Sequence, residues 1–193
     1  MFKEVRRRIG VFGGTFDPPH FAHKEIAYRS LNQFNLDKVL FIPTGFSWQK
    51  DSSVPYKKRY AMTSLLIENE SRFEISNIEN NQDEPTYTAN TLEKLSLDKD
   101  CSFFILGADA ALGIKSWHNY EILDNFVQFL IAPRPDINIT QIEEYFPFDY
   151  KTISGEELDM SSTQIRSLIT NNRSLTAHLP ENVIQFIQEE SVY

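Results

Sequence analysis

Short apolar runs punctuate the chain, and amphipathic stretches separate them. Ile9–Phe12, Lys38–Pro43, Phe73–Ile75, Ser102–Leu106, Val127–Ala132 and Tyr150–Ile153 each have strand length and strand composition. Between them, apolar positions recur at helical spacing over His23–Phe34, Lys57–Asn69, Thr88–Leu97, Tyr120–Asp124 and Gln141–Tyr145. Ile26, Ala27, Leu31 and Phe34 show the period in the first of these. Two more helical stretches, Ser162–Asn171 and Pro180–Glu190, close the pattern. Strands that alternate with helices predict an α/β fold, a doubly wound and mainly parallel sheet with helices on both faces. Ligands in such folds sit beyond the carboxyl ends of the strands, where the strand order reverses. No internal repeat, low-complexity block or linker breaks the pattern, so 1–193 reads as a single domain. The longest loops are Gly45–Pro55 and Asn77–Pro85, and long loops in a compact domain are often functional.

Composition narrows the class. The chain has 193 residues, enough for a sizeable core, with 41% hydrophobic and 24% charged residues. Its net charge is −8, which argues against general nucleic-acid binding. The one basic run, Arg6-Arg7-Arg8, reads as a solvated flank of the first strand. Cys101 is the single cysteine, so an intrachain disulfide is excluded, and a reducing cytoplasm is the expected setting. No stretch has transmembrane length and no signal peptide precedes Ile9, so no membrane partner is expected.

The densest chemistry lies in Gly13-Gly14-Thr15-Phe16-Asp17-Pro18-Pro19-His20-Phe21-Ala22-His23. A strand runs into two glycines, a rigid turn, and two histidines at a helix start. Free N–H groups and the helix dipole favour an anion such as phosphate at that point. The spacing is neither a P-loop nor a dinucleotide fingerprint. One histidine acting as a helix cap is the structural alternative, and a metal pair lacks a third ligand nearby in sequence.

A second anion site is suggested by Met160-Ser161-Ser162-Thr163-Gln164-Ile165-Arg166, which follows the last strand and opens a helix. It offers N-terminal N–H groups, two hydroxyls and an arginine. Ser161 and Gln164 also fit a capping box. In Phe104-Ile105-Leu106-Gly107-Ala108-Asp109 a strand ends in a tight turn and a carboxylate, which suits ribose hydroxyls, or a helix cap. Arg134 closes another strand and would serve as a phosphate contact or a surface salt-bridge residue.

The first segment resembles the G-x-F-x-P-x-H-x-G-H signature of nucleotidyltransferases, with Ala22 in place of the second glycine. The second resembles the I-S-S-T-x-I-R motif of the same proteins, with Met160 for isoleucine. Glu84-Pro85-Thr86-Tyr87-Thr88-Ala89-Asn90-Thr91-Leu92 is similar to the P-[ST]-Y-T-x-x-T-L segment of the bacterial nicotinate mononucleotide adenylyltransferases. The resemblance spans nearly the whole chain and implies a Rossmann-like nucleotidyltransferase fold. It also implies transfer of AMP from ATP to nicotinate mononucleotide, with Mg²⁺ accompanying ATP and no protein-held metal.

The same resemblance distributes roles along the chain. His20, His23 and Arg166 would be catalytic. Gly13, Gly14, Thr15, Phe16, Gly107, Asp109, Arg134, Ser162 and Thr163 would bind ATP, with helices 162–190 completing its phosphate site. Thr86, Tyr87, Thr88, Trp117 and His118 would form the nicotinate pocket, with Trp117 stacked on the pyridine ring. Trp117 as a core residue is the alternative. Lys50 would place a point charge near the mononucleotide phosphate. The neighbouring Ser47, Trp48 and Gln49 depart from the P-P-H-K loop of these proteins. Arg59, in the next helix, would assist it or stay on the surface. Other acceptors, nicotinamide mononucleotide or phosphopantetheine, and a non-catalytic nucleotide-binding module are the competing readings. A homo-oligomer is compatible with the sequence.

Overall fold

The computed structural model describes residues 6–46, 54–80 and 84–193. The apolar runs become six parallel strands: β1 (Ile9–Gly14), β2 (Lys38–Pro43), β3 (Phe73–Ile75), β4 (Ser102–Gly107), β5 (Gln128–Ala132) and β6 (Tyr150–Thr152). Their order across the sheet is β3-β2-β1-β4-β5-β6. The order reverses between β1 and β4, so a crevice opens above the carboxyl ends of these two strands.

Among the described residues, seven α-helices flank the sheet: α1 (Phe21–Gln33), α2 (Tyr56–Ile67), α3 (Thr88–Leu95), α4 (Ala108–Leu112), α5 (Ile139–Tyr145), α6 (Ser162–Thr170) and α7 (Glu181–Glu189). Period-two alternation in the central strands sorts side chains into two cores. Phe12, Val39, Phe41, Phe103, Ile105 and Leu130 face one layer, where they meet Leu31 of α1, Met62 and Leu66 of α2, Ile165 of α6 and Val183 of α7. Val11, Ile42, Phe104, Leu106, Phe129 and Ile131 face the other, against Leu92 of α3, Ala111 of α4 and Ile142 of α5. Both faces are covered, which is why these strands read as continuous apolar runs. Each large apolar side chain removed from water contributes about 1.5–3 kcal/mol to the driving force for this layering.

Several expectations shift in detail. β1 continues through Gly13 and Gly14, which pair with Ile42 and Pro43. α3 stops at Leu95, because Ser96 adopts a left-handed conformation. Tyr120–Asn125 is 3-10 rather than α-helical. α4, five residues long, has no counterpart among the helices expected from sequence, since it is too short to display a period. Arg8 is more than a solvated flank: it donates to the Phe34 carbonyl at the end of α1 and stacks 4.7 Å from the Phe103 ring. Among the described residues no helix is long and apolar enough to cross a membrane.

Candidate active site

The sharp turn after β1 is held by its own side chains. A Cβ at Gly14 would lie 3.1 Å from the ring of Phe16, which is buried and sits at φ 50°. A larger residue at Gly14 would require the Phe16 ring to shift by a few tenths of an ångström. Beyond the turn, His20 is the N-cap of α1 and His23 lies in its first turn. The His20 N–H donates to Nδ1 of His23 at 3.2 Å, while the His20 side chain itself makes no capping hydrogen bond among the described residues. Their rings stack with centroids 3.7 Å apart, and the Phe16 ring meets His23 edge-on at 5.0 Å. Ala22 is buried in the same helical turn.

His20 is 2% exposed. Burial, and then the nearby Arg134 and His178, together push its pKa down to about 3. The ring is therefore neutral at pH 7. Its buried Nδ1 has no partner with hydrogen-bond geometry among the described residues. A neutral imidazole here offers a hydrogen bond without adding charge.

The second motif packs directly on this turn. Ser161 is the N-cap of α6; its hydroxyl accepts from the Gln164 N–H at 3.2 Å and donates to Gln164 Oε1 at 2.9 Å. Ser162 Oγ donates to the Pro18 carbonyl at 2.9 Å. Arg166 donates through Nη1 to the Asp17 carbonyl at 2.7 Å and through Nη2 to Thr163 Oγ1 at 3.1 Å. The starts of α1 and α6 are thereby tied to one loop, and both present N–H groups that have no partner within their helices.

A cavity of about 660 Å³ lies between these two helix starts. Its walls include Phe16, His20, His23, Ser162, Thr163 and Arg166. Arg134 enters from the end of β5, donating to the Met160 carbonyl at 3.3 Å. It also stands 3.8 Å from Asp109 of α4, a half-exposed pair of little energetic weight. Asp109 lies in the first turn of α4, whose N-cap is Gly107, so it is not the cap itself.

A second, narrower cavity of about 280 Å³ opens on the other side of the same strand ends. Thr86, Tyr87 and Thr88 at the start of α3 form one wall, and Trp117 and His118 form another. Tyr87, rather than Thr88, is the N-cap of α3. The Tyr87 and His118 rings lie against each other, tilted by 31° with centroids 4.3 Å apart. Trp117 is half-buried and meets Phe104 edge-on at 6.2 Å, so it belongs to the core and to the cavity wall together. Gly13, Gly14, Thr15, Gly107 and Asp109 line both cavities. The two spaces therefore meet above β1 and β4, where the strand order reverses.

Every described residue expected at the ATP and mononucleotide sites lines one or both cavities. Lys50, with Ser47, Trp48 and Gln49, lies outside the described residues. Arg59 does not stay on the surface: it is 3% exposed and hydrogen-bonded to backbone carbonyls. Glu79 is a polar wall residue of the narrower cavity that sequence reasoning passed over. It is 8% exposed, accepting from the Gly45 N–H and the Thr91 hydroxyl. Its place in a polar loop gave no sign of that burial. Among the described residues, no group of three or more His, Cys, Asp or Glu side chains is arranged to hold a metal ion.

The cytidylyltransferase-like family matches residues 11–168. A protein of Leifsonia xyli subsp. xyli named "probable nicotinate-nucleotide adenylyltransferase" is 35% identical over 195 residues, covering 99% of this chain and 96% of its own. A Mycobacterium avium protein of the same name is 36% identical, covering 94% and 90%. The chain belongs to the nicotinate-nucleotide adenylyltransferase family. A solved structure shares the architecture of this chain at lower identity: Plasmodium falciparum nicotinic acid mononucleotide adenylyltransferase complexed with NaAD. It superimposes with a TM-score of 0.81 at 23% identity, over 97% of this chain and 98% of its own. The family's fold thus persists where most side chains have changed.

Proposed function

We infer that the protein transfers AMP from ATP to nicotinate mononucleotide, forming deamido-NAD and pyrophosphate in NAD biosynthesis. One observation carries this reading: a cavity walled by histidines and arginines and a cavity walled by aromatics share their floor at the β1 and β4 ends. The first suits a polyphosphate and the second a flat heterocycle.

In this reading ATP occupies the larger cavity. Its triphosphate spans the starts of α1 and α6, and Ser162, Thr163 and Arg166 hold the departing pyrophosphate. Arg134 gives a further phosphate contact, Asp109 accepts from ribose hydroxyls, and the exposed backbone of Gly13 to Phe16 and Gly107 lines the nucleotide. The mononucleotide occupies the narrower cavity. Its ring lies on Trp117 and beside Tyr87 and His118, with its carboxylate at the N–H groups that open α3 near Thr86 and Thr88. Lys50 supplies charge to the mononucleotide phosphate.

A phosphate oxygen of the mononucleotide then bonds to the α-phosphorus of ATP, while the bond to the bridging oxygen breaks and pyrophosphate leaves. The attacking phosphate is already ionised at neutral pH, so no general base is needed. Catalysis consists of positioning and of stabilising the charge that grows at the α-phosphate. His20 donates a neutral hydrogen bond there, and His23 and Arg166 stabilise the developing charge. Mg²⁺ arrives with ATP as part of the substrate. One domain, with α6 and α7 completing the phosphate site, acting in the cytoplasm, accounts for the activity.

Pyrophosphate release with MgATP, comparing nicotinate mononucleotide, nicotinamide mononucleotide and phosphopantetheine, tests the assignment. A strong preference for the nicotinate compound is expected. Release only with another acceptor would overturn the pocket assignment, and ATP binding without release would favour a non-catalytic module.

A further inference from the structure

Arg59 sits one turn into α2 with its guanidinium buried under the β1 and β2 loops. Among the described residues its hydrogen bonds all go to backbone carbonyls, one in the loop after β1 and two at either end of the connection between β2 and α2. Nη1 donates to Thr15 at 2.7 Å, Nη2 to Gly45 at 3.1 Å and Nε to Val54 at 3.0 Å. Thr15 lines both cavities. Gly45 follows Thr44, which lines the narrower one and donates its own N–H to the Gly14 carbonyl at 2.8 Å.

The same Gly45 is gripped from its other side. Its N–H donates to Glu79 Oε2 at 3.1 Å, and Glu79 Oε1 accepts from the Thr91 hydroxyl of α3 at 2.7 Å. Glu79 and Thr91 both line the narrower cavity. A hydrogen-bonded path therefore runs from Thr15 through Arg59, Gly45 and Glu79 to Thr91.

Burying a guanidinium is costly, and an apolar side chain of similar volume would fill the space more cheaply. What an arginine adds is a planar fork that holds several oxygens at fixed angles. In a transfer between two bound phosphates, the distance between donor and acceptor governs the rate. We propose that Arg59 is a positioning residue: with Glu79 as its counterpart, it fixes the wall of the acceptor cavity against the β1 loop that carries the donor. Its side chain lines neither cavity. The inference rests on the adenylyl-transfer reading given above.

Arg59→Lys and Glu79→Gln, made in the full chain, test it by two readouts. The first is steady-state kinetics with MgATP and nicotinate mononucleotide well below the thermal midpoint of each variant. Arg59→Lys should lower kcat by about 100-fold, as expected for a misplacement near 1 Å, while each KM stays within about threefold. Glu79→Gln keeps the shape and one acceptor pair, so its loss in kcat should be smaller and of the same pattern. A kcat unchanged in Arg59→Lys, or a loss confined to one KM, would overturn the proposal.

The second readout is amide hydrogen exchange without substrates. Exchange should rise together at residues 14–17 and 44–46 in Arg59→Lys and stay native elsewhere. A rise across the whole of α2, or at one loop alone, would mark a role in packing and contradict the brace. If Arg59→Lys does not fold, the same two readouts on Glu79→Gln decide. Absence of turnover by the native chain would refute the adenylyl-transfer reading, whereas paired exchange at the two loops would still support the brace.

Discussion

Arg166 reaches across 149 sequence positions to place Nη1 2.7 Å from the backbone carbonyl of Asp17. This hydrogen bond joins the two motif segments at the wall of one cavity. The loop between β1 and α1 supplies the acceptor, and the first turns of α6 supply the donor. The same guanidinium holds Thr163 Oγ1 and retains further N–H donors for a ligand. Its removal costs both a charged contact and the alignment of the loop.

Arg166→Ala should therefore lower kcat/KM by about 10²–10³, the range seen when one donor to a developing negative charge is deleted. Arg166→Lys should recover part of the loss at most, since an ammonium cannot hold the Asp17 carbonyl and a phosphate in one plane. Steady-state pyrophosphate release measures both. Near-native activity in Arg166→Lys would show that charge alone suffices.

His23 has its ring fixed by His20 on one side and Phe16 on the other. An interaction made mainly in the transition state affects turnover more than binding. His23→Ala should cut kcat far more than it weakens ATP binding, measured by calorimetry with a non-hydrolysable analogue. Equal effects on both would confine His23 to ground-state binding.

The buried, neutral His20 makes stability depend on pH. Its pKa is about 3 in the folded protein and 6.5 in the unfolded chain. Between those values the unfolded chain binds the extra proton. The stability attached to a neutral His20 is fully present above about pH 6.5 and is lost as pH falls toward 3, at up to ~1.4 kcal/mol per pH unit. Thermal unfolding of the ligand-free protein should show this loss between pH 6.5 and 4, and His20→Gln should flatten it. An identical slope in His20→Gln would assign the loss to other groups.

Trp117 forms a wall of the narrower cavity while keeping contact with Phe104. Ring stacking on an aromatic side chain is worth about 1–3 kcal/mol, so Trp117→Ala should raise KM for the mononucleotide by about 10- to 100-fold. KM for ATP should change little. A matching rise for ATP would indicate collapse of the shared floor rather than loss of a stacking surface.

Much of this arrangement was legible in the chain. The parallel sheet followed from alternating apolar runs, because strands covered on both faces carry few polar positions. The two helix starts that wall the larger cavity were legible because each combines a strand end, a helix start and charged or hydroxyl side chains within a few residues. Arg59 was harder to place. A lone arginine on an amphipathic helix looks like a surface cation, and its burial depends on the carbonyls of Thr15 in the loop after β1 and of Gly45 and Val54 in the connection before α2. Glu79 was hidden in a polar loop for the same reason, since its partners Gly45 and Thr91 lie on other elements. The five-residue α4 left no period to detect. Nonlocal polar contacts are set by the fold, and local pattern carries no trace of them.

The most direct test of direct transfer between two adjoining cavities is the stereochemical course at the transferred phosphorus. Deamido-NAD made from nicotinate mononucleotide and ATP chiral at a sulfur-substituted α-phosphorus should show inversion, as a single in-line displacement requires. Retention would mean two displacements through a covalent adenylyl-protein, and would contradict a site in which donor and acceptor phosphates meet above Gly14 and Gly107.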